Sequence, residues 1–301
     1  MIRIAVIIVT YNRKDLLAKC LDAIKKGEMQ PSAIYIVDNN SHDGTHDMLQ
    51  SKGYLNDENI IYINTGENLG GAGGFYTGMK AAHESNKYDA YLLMDDDGCP
   101  DKDEIKELAK HIGTYDYINA FVIDIDNHNR MCFGENVNRD KMEQSSNSEG
   151  LIVNHADPFN GTMFTKRLVN KVGYVNPDLF IYGDDFNYHN RCIKAGFIPV
   201  TCINAIHYHP YFYKKSGNRK HISILGYKFS YTMYDKPILI YCSYRNTIYN
   251  IFSFKDFLRV LFKFPMRILL QFYGSRHNGM IALKACWAGI TCNLKGHKQY
   301  L

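Results

Sequence analysis

Four times within the first 97 residues an apolar run breaks off into a polar cluster. The runs span 2–9, 33–37, 60–63 and 90–94, and helix-like stretches at 13–26, 43–51 and 75–85 separate them. Apolar strands alternating with helices predict a parallel sheet covered on both faces, because each parallel return needs a crossover. On such sheets ligands bind at the carboxyl ends of the strands. Here those ends are polar. The first strand runs into Thr10-Tyr11-Asn12-Arg13 and the second into Asp38-Asn39-Asn40-Ser41; the third precedes GENLGGAGGF (66–75), and the fourth ends in Asp95-Asp96-Asp97. Four strand exits therefore aim polar groups at one edge.

The rest of the chain continues as α/β. A helix is expected from 101 to 111, a polar mobile loop over 134–150, and a short helix from Lys166. The segment FIYGDDFNYHNRCIKAG (180–196) reads as a loop entering a helix that Gly196 ends, and a strand at 198–202 leads to His207 and His209. From about residue 225 the chain turns rich in Tyr and Phe. We therefore expect a catalytic domain over 1–225 and a basic, aromatic helical region over 226–301.

Charge divides along a similar line. Residues 1–185 hold 18 Lys/Arg against 29 Asp/Glu, whereas residues 186–301 hold 17 against Asp235 and Asp256 alone. Such a C-terminal part should seek a polyanion. Eight scattered cysteines without a CxxC pair suit a reduced, cytosolic compartment, and the opening MIRIAVIIVTYNR reads as a buried strand rather than a signal peptide.

Asp95 and Asp97 leave the same strand on one side, where their repulsion asks for a cation. Hard oxygen ligands suit Mg²⁺ or Mn²⁺, and an acidic turn is the alternative. Gly70, Gly71, Gly73 and Gly74 would let backbone N–H groups approach a phosphate or sugar, although the stretch matches neither GxGxxG nor a Walker loop. Asp184-Asp185 at a helix start is either a cap or a general base for a hydroxyl. His207 and His209 offer one further metal ligand or a structural imidazole.

The order VTYNR, IVDNNSxDG, DDDG, NGTMF, GDD before a helix, a downstream histidine and Tyr244-Arg245-Asn246 resembles glycosyltransferase family 2 over roughly residues 2–250. The resemblance implies the GT-A nucleotide-sugar fold with a mostly parallel central sheet. Within the family, NLGGAGGF and GDDFNYHNR are similar to galactofuranosyltransferases, with rhamnosyltransferases close behind. It further implies that Thr10, Tyr11, Asn12, Arg13, Asp38, Asn68, Gly70, Gly71, Gly73, Asp95 and Asp96 hold the nucleotide sugar. Asp95 and Asp97 would hold the metal with His207 or His209, His207 slightly favoured by its place after the strand. Asn160, Gly161, Thr162, Asp184 and Arg191 would meet the acceptor, and Asp185 would take its proton in an inverting transfer. The family pair is often Glu-Asp with a further Asp two residues on, where this chain has Asp184-Asp185 and Asn187.

The resemblance favours UDP-galactofuranose as donor, with rhamnosyl or other hexosyl transfer as the alternative. In 251–274 the bases Lys255, Arg259, Lys263 and Arg267 recur every four residues among Phe, Leu, Ile and Val. They form a cationic stripe beside an apolar face, while Pro265 and the charges argue against a spanning helix. An anionic membrane surface and a polyprenyl-diphosphate-linked glycan acceptor are the expected partners, at the cytoplasmic face of the inner membrane. A non-catalytic sugar-nucleotide module is a rival. So is a nucleic-acid binder, but no nucleic-acid-binding motif is present and the acidic first half would repel a phosphate backbone.

Overall fold

The computed structural model describes residues 2–134, 137–211, 219–224, 227–232, 234 and 236–301, with 219–224 and 227–232 described by backbone alone. Strands β1 (Ile4–Thr10), β2 (Ala33–Asp38), β3 (Ile60–Asn64) and β4 (Ala90–Asp95) lie parallel in the order β3-β2-β1-β4. Helices α1 (Lys14–Lys25), α2 (Thr45–Ser51) and α3 (Gly70–Glu84) make the returns. Every residue of β1 is buried. Ile4, Val6 and Ile8 pack in one core with Leu17, Leu21 and Ile24 of α1, and Ala5, Ile7 and Val9 in the other with Phe75 and Met79 of α3. This two-sided burial is why the strand reads as an unbroken apolar run.

Beyond β4 the sheet is mixed, which refines the mostly parallel expectation. The further strands are β5 (Cys99–Pro100), β6 (Tyr117–Asp124), β7 (Asn127–Met131), β8 (Leu151–Val153), β9 (Asn160–Thr165) and β10 (Pro199–His209). β9 runs antiparallel to both β4 and β6, β10 is parallel to β6, and β5 and β8 flank β10 antiparallel. The regular strand–helix alternation stops near residue 97, and without it antiparallel neighbours become available. β10 is longer than the expected 198–202 and carries both histidines, with a register shift between Cys202 and Ile206.

Helices α4 (Glu104–Ala109), α5 (Arg139–Glu143), α6 (Lys166–Val172) and α7 (Asp184–Lys194) follow. The described part of the expected 134–150 loop thus contains a helical turn, capped by Asn138, whose side chain accepts from Lys141 N. Residues 70–74, ahead of the expected helix at 75–85, are already the first turns of α3. A Cβ on Gly74 would run into Val9, so its absence lets α3 ride close to β1. Gly70 has φ +69° and abuts the carbonyl of Phe180, where a side chain has no room.

The C-terminal part begins with a hairpin of β11 (Arg219–Ile224) and β12 (Tyr227–Thr232). Helices α8 (Pro237–Tyr249), α9 (Phe254–Gly274) and α10 (Arg276–Ile290) share a core of Ile240, Tyr241, Tyr244, Phe264, Ile281 and Ala285. The boundary expected at 225/226 falls outside the described residues. α9 is one helix through Pro265, opened by Ser253, whose hydroxyl accepts from Asp256 N at 3.1 Å. Its bases Lys255, Arg259, Lys263 and Arg267 are all exposed, and so are Phe257, Leu261, Phe262, Leu269 and Tyr273. Among the described residues no helix is long and apolar enough to cross a membrane.

Candidate active site

A cleft of about 510 Å³ opens at the carboxyl edge of the parallel strands. One side is lined by Thr10, Tyr11 and Arg13 from the exit of β1 and by Asn68, Gly70 and Gly71 from the start of α3. Its base carries Asp95 and Asp96, and the far side carries Asn160, Asp184 and Asp185. Asp96 is buried and held from two directions, since Thr10 Oγ1 donates to Oδ2 (2.8 Å) and Arg13 Nη1 to Oδ1 (3.0 Å). This carboxylate ties the β1 exit to the turn after β4, and Arg13 also reaches Asp97 Oδ2 at 3.4 Å.

Asp95, Asp97 and His209 can each offer one ligand atom with all three atoms within 4.8 Å of one another. His209 Nδ1 lies 2.8 Å from the carbonyl of Pro210, which can only accept, so that nitrogen carries a proton and Nε2 faces Asp97 Oδ1 at 3.0 Å. A lone pair and a carboxylate oxygen at that separation call for a proton or a cation between them. Two carboxylates and an imidazole fit Mn²⁺ or Mg²⁺. Burial, followed by the charge of Asp97, pushes the Asp95 carboxyl up to about 7.

His207, the slightly favoured ligand, does not join this group. It lies two residues deeper on β10, fully buried, with Nδ1 2.9 Å from Glu104 Oε2. Other expected residues also sit outside the cleft lining. Arg191 donates from Nη1 to the carbonyl of Tyr174 (2.8 Å) and from Nη2 to that of Val172, closing the turn after α6 rather than facing an acceptor. Thr162 donates to Asn119 Oδ1 inside the sheet, and Gly161 is packed against Glu104, Ala120 and His207. Gly73 faces Leu69. Asn12 accepts from His42 N at 2.7 Å, and Asp38 accepts from Ser41 N and from the Tyr62 hydroxyl, so these two shape the neighbouring turn.

The far side rests on the loop 178–183, in which Phe180, Tyr182 and Gly183 have φ of +64°, +65° and +78°. Two non-glycine residues in the left-handed region need outside support. Asn246 Nδ2 donates to the carbonyls of Leu179, Ile181 and Tyr182, Asn250 Nδ2 donates to that of Gly183, and Arg245 Nη2 donates to those of Asp178 and Leu179. From the other side Ala72 N donates to Phe180 O at 3.0 Å. Asp184 and Asp185 thus leave a braced loop at the start of α7. Asp157, in the ADPFN loop where no sequence motif singles it out, is close enough to Asp185 to feel its charge. Phe75, Phe159 and Phe180 also line the cleft. No signal in the sequence distinguishes these aromatics from core residues.

Burial, and then the charge of Asp185, pushes the Asp184 carboxyl up to about 7; burial raises Asp185 as well. A proton acceptor must be ionised, and burial raises Asp185, so kcat/KM should rise with pH above the ordinary carboxylate range. Stability should move the opposite way. The folded pair holds its proton more tightly than the unfolded chain, so this contribution is complete at acid pH and is lost as pH rises toward about 7. Paired pH–rate and pH–melting profiles check both signs.

A four-strand parallel half-sheet, a mixed second half and an acidic cleft at the strand ends define a GT-A nucleotide-sugar enzyme. The chain belongs to glycosyltransferase family 2: residues 5–172 match the family described as Glycosyl transferase family 2. It is 28% identical to galactofuranosyltransferase GlfT1 of Mycolicibacterium smegmatis over 257 residues, which is 82% of each chain. It is 30% identical to the protein of the same name from Mycobacterium tuberculosis strain H37Rv over 213 residues, 68% of this chain and 69% of the relative. Among solved structures, the mannosyltransferase PcManGT from Pyrobaculum calidifontis in complex with GDP-Man and Mn²⁺ matches 98% of this chain and 76% of its own, at TM-score 0.54 and 16% identity. GalNAc-T7 with UDP, GalNAc and Mn²⁺ matches 70% of this chain and 43% of its own, at TM-score 0.56 and 13% identity. At such identities the structural likeness shows the fold alone.

Proposed function

We propose that this glycosyltransferase moves galactofuranose from UDP-galactofuranose, with inversion, onto a polyprenyl-diphosphate-linked glycan. The observation that carries the reading is the placement of Asp95, Asp97 and His209 together at the cleft base, with Asp184-Asp185 across from them. The relatives named galactofuranosyltransferase support the choice of sugar.

Asp185 accepts the proton of an acceptor hydroxyl, whose oxygen forms a bond to the anomeric carbon as the bond from that carbon to the nucleotide oxygen breaks. Inversion follows from attack on the face opposite the leaving group. Asp95, Asp97 and His209 would hold Mn²⁺ or Mg²⁺, whose chemistry is to offset the charge of the departing diphosphate. Asp184 and the braced loop keep Asp185 in position. The exposed bases and aromatics of α9 support a peripheral seat on an anionic membrane at the cytoplasmic face of the inner membrane.

The test is release of nucleoside diphosphate from UDP-galactofuranose, UDP-galactopyranose, UDP-glucose and dTDP-rhamnose, with Mn²⁺ or with chelator. Release from UDP-galactofuranose is expected, falling on the order of 100-fold with chelator. Preference for dTDP-rhamnose would replace the donor, and chelator-resistant turnover would remove the metal.

A further inference from the structure

The two histidines of β10 meet different company. His209 joins Asp95 and Asp97 at the cleft base, whereas His207, two residues deeper, is fully buried with Nδ1 2.9 Å from Oε2 of Glu104, itself fully buried. Each of these two side chains keeps one buried polar atom, His207 Nε2 and Glu104 Oε1, that has no hydrogen-bond partner among the described residues. Buried polar groups of this kind cost stability that apolar side chains would not. Stability alone therefore does not account for the pair.

Its neighbours point to another role. The edge of the His207 ring lies against Gly98, the residue that closes the Asp95-Asp96-Asp97 turn by donating from N to Asp95 O at 3.2 Å. A Cβ on Gly98 would stand 2.3 Å from His207 Nε2 and 2.9 Å from Cε1. Gly98 is not among the residues of positive φ, so space rather than backbone conformation calls for glycine here. Gly161, next to Asn160 of the cleft, makes similar room, since its Cβ would meet Glu104 Oε1 at 2.7 Å and His207 Nδ1 at 3.0 Å. Past Gly98 the chain is sewn to the strand that carries the ring: β5 pairs with β10 at Pro100–His207 and Cys99–Tyr208, and Asp101 N donates to Ile206 O at 2.9 Å. The turn that offers Asp95 and Asp97 and the strand that offers His209 thus meet where Gly98 rests on His207.

We infer that Glu104 and His207 are positioning residues for the metal group: Glu104 fixes the plane of the ring, and the edge of the ring sets how far the Asp95–Asp97 turn stands from His209. The inference rests on the metal reading and adds to it the parts that gauge the site. Neither residue supplies a ligand atom. Both act through the turn.

Mn²⁺ binding to the full chain without nucleotide is measured by the electron paramagnetic resonance of the free ion, beside melting temperature and UDP release from UDP-galactofuranose as Mn²⁺ is raised. Gly98→Ala drives a methyl into the ring and should weaken Mn²⁺ binding by about tenfold or more, with kcat recovered at saturating Mn²⁺. Glu104→Leu/His207→Leu replaces the pair by apolar groups; its melting temperature should stay at or above the wild-type value while Mn²⁺ binds about tenfold more weakly. Glu104→Gln keeps an acceptor for Nδ1 and should stay within about twofold of the wild-type affinity. Wild-type Mn²⁺ affinity in the apolar pair overturns the proposal whether or not Gly98→Ala folds, and so does a loss that only follows a fallen melting temperature. Glu104→Gln as weak as the apolar pair overturns the part given to ring orientation. A wild-type chain that binds no Mn²⁺ is a different result, and it overturns the underlying metal reading itself.

Discussion

Asp185→Asn is expected to lower transfer by about 10²–10⁴-fold while UDP binding stays near the wild-type value. The amide keeps the shape of the carboxylate but cannot accept the proton. Asp185 accepts from Phe186 N at 2.7 Å at the start of α7, so the change should leave the fold in place. Asp184→Asn should cost less, since that residue tunes and positions its neighbour. Asp157→Asn should act through the pH profile, shifting the rise downward because one negative charge near Asp185 is removed. Single-turnover kinetics with calorimetric UDP binding separate these outcomes. Loss of UDP affinity in Asp185→Asn, in parallel with turnover, would assign the residue to donor binding instead.

The second large effect is expected at Arg245→Met. This arginine is fully buried and, among the described residues, has no carboxylate as a hydrogen-bond partner. Its guanidinium donates to Asn246 Oδ1, to the carbonyls of Leu294, Asp178 and Leu179, and faces His297 Nδ1 at 3.0 Å. Methionine fills much of the volume but leaves the partly buried carbonyls of Leu294 and Asp178, and Asn246 Oδ1, without this donor, while Leu179 O keeps its bond from Asn246. At about 1–3 kcal/mol for each abandoned group, a loss of roughly 3–5 kcal/mol is expected, read as a lowered melting temperature or denaturant midpoint. Activity should fall even where the variant is folded, because the loop carrying Asp184-Asp185 loses one of its braces. A variant of wild-type stability and activity would show the arginine to be replaceable filling.

The first half of the fold was legible because its physics is local. β1, β2 and β4 are buried on both faces and read as apolar runs, the edge strand β3 is half-buried, and the exits at Thr10–Arg13 and Asp95–Asp97 are polar because the strands end there. The second half was less legible. The antiparallel insertion of β9 between β4 and β6 is a long-range pairing with no spacing signature in the sequence. His207 and His209 could not be told apart by pattern, since both project from one face of one strand; what separates them is Glu104 beneath the first and Pro210 O beside the second. Glycines 70–74 carried a true signal of close approach, but the partners are Phe180 and Val9, so part of that signal belonged to packing. An arginine after an acidic pair looks the same in sequence whether it meets a ligand or two carbonyls, and Arg191 donates to the carbonyls of Tyr174 and Val172.

The bracing of residues 178–183 bears on how such enzymes can be recombined. That loop is gripped by Ala72 at the head of α3, by Arg245 and Asn246 on α8 and by Asn250 just past its end. The C-terminal helices are therefore no detachable tail that could be traded between relatives to change where a transferase resides or what it accepts. A chimera joined near residue 225 would inherit one parent's loop and the other parent's grip. Crossovers that carry 178–194 and 237–250 from the same parent keep the two halves of that contact matched, and would let acceptor preference travel as a unit.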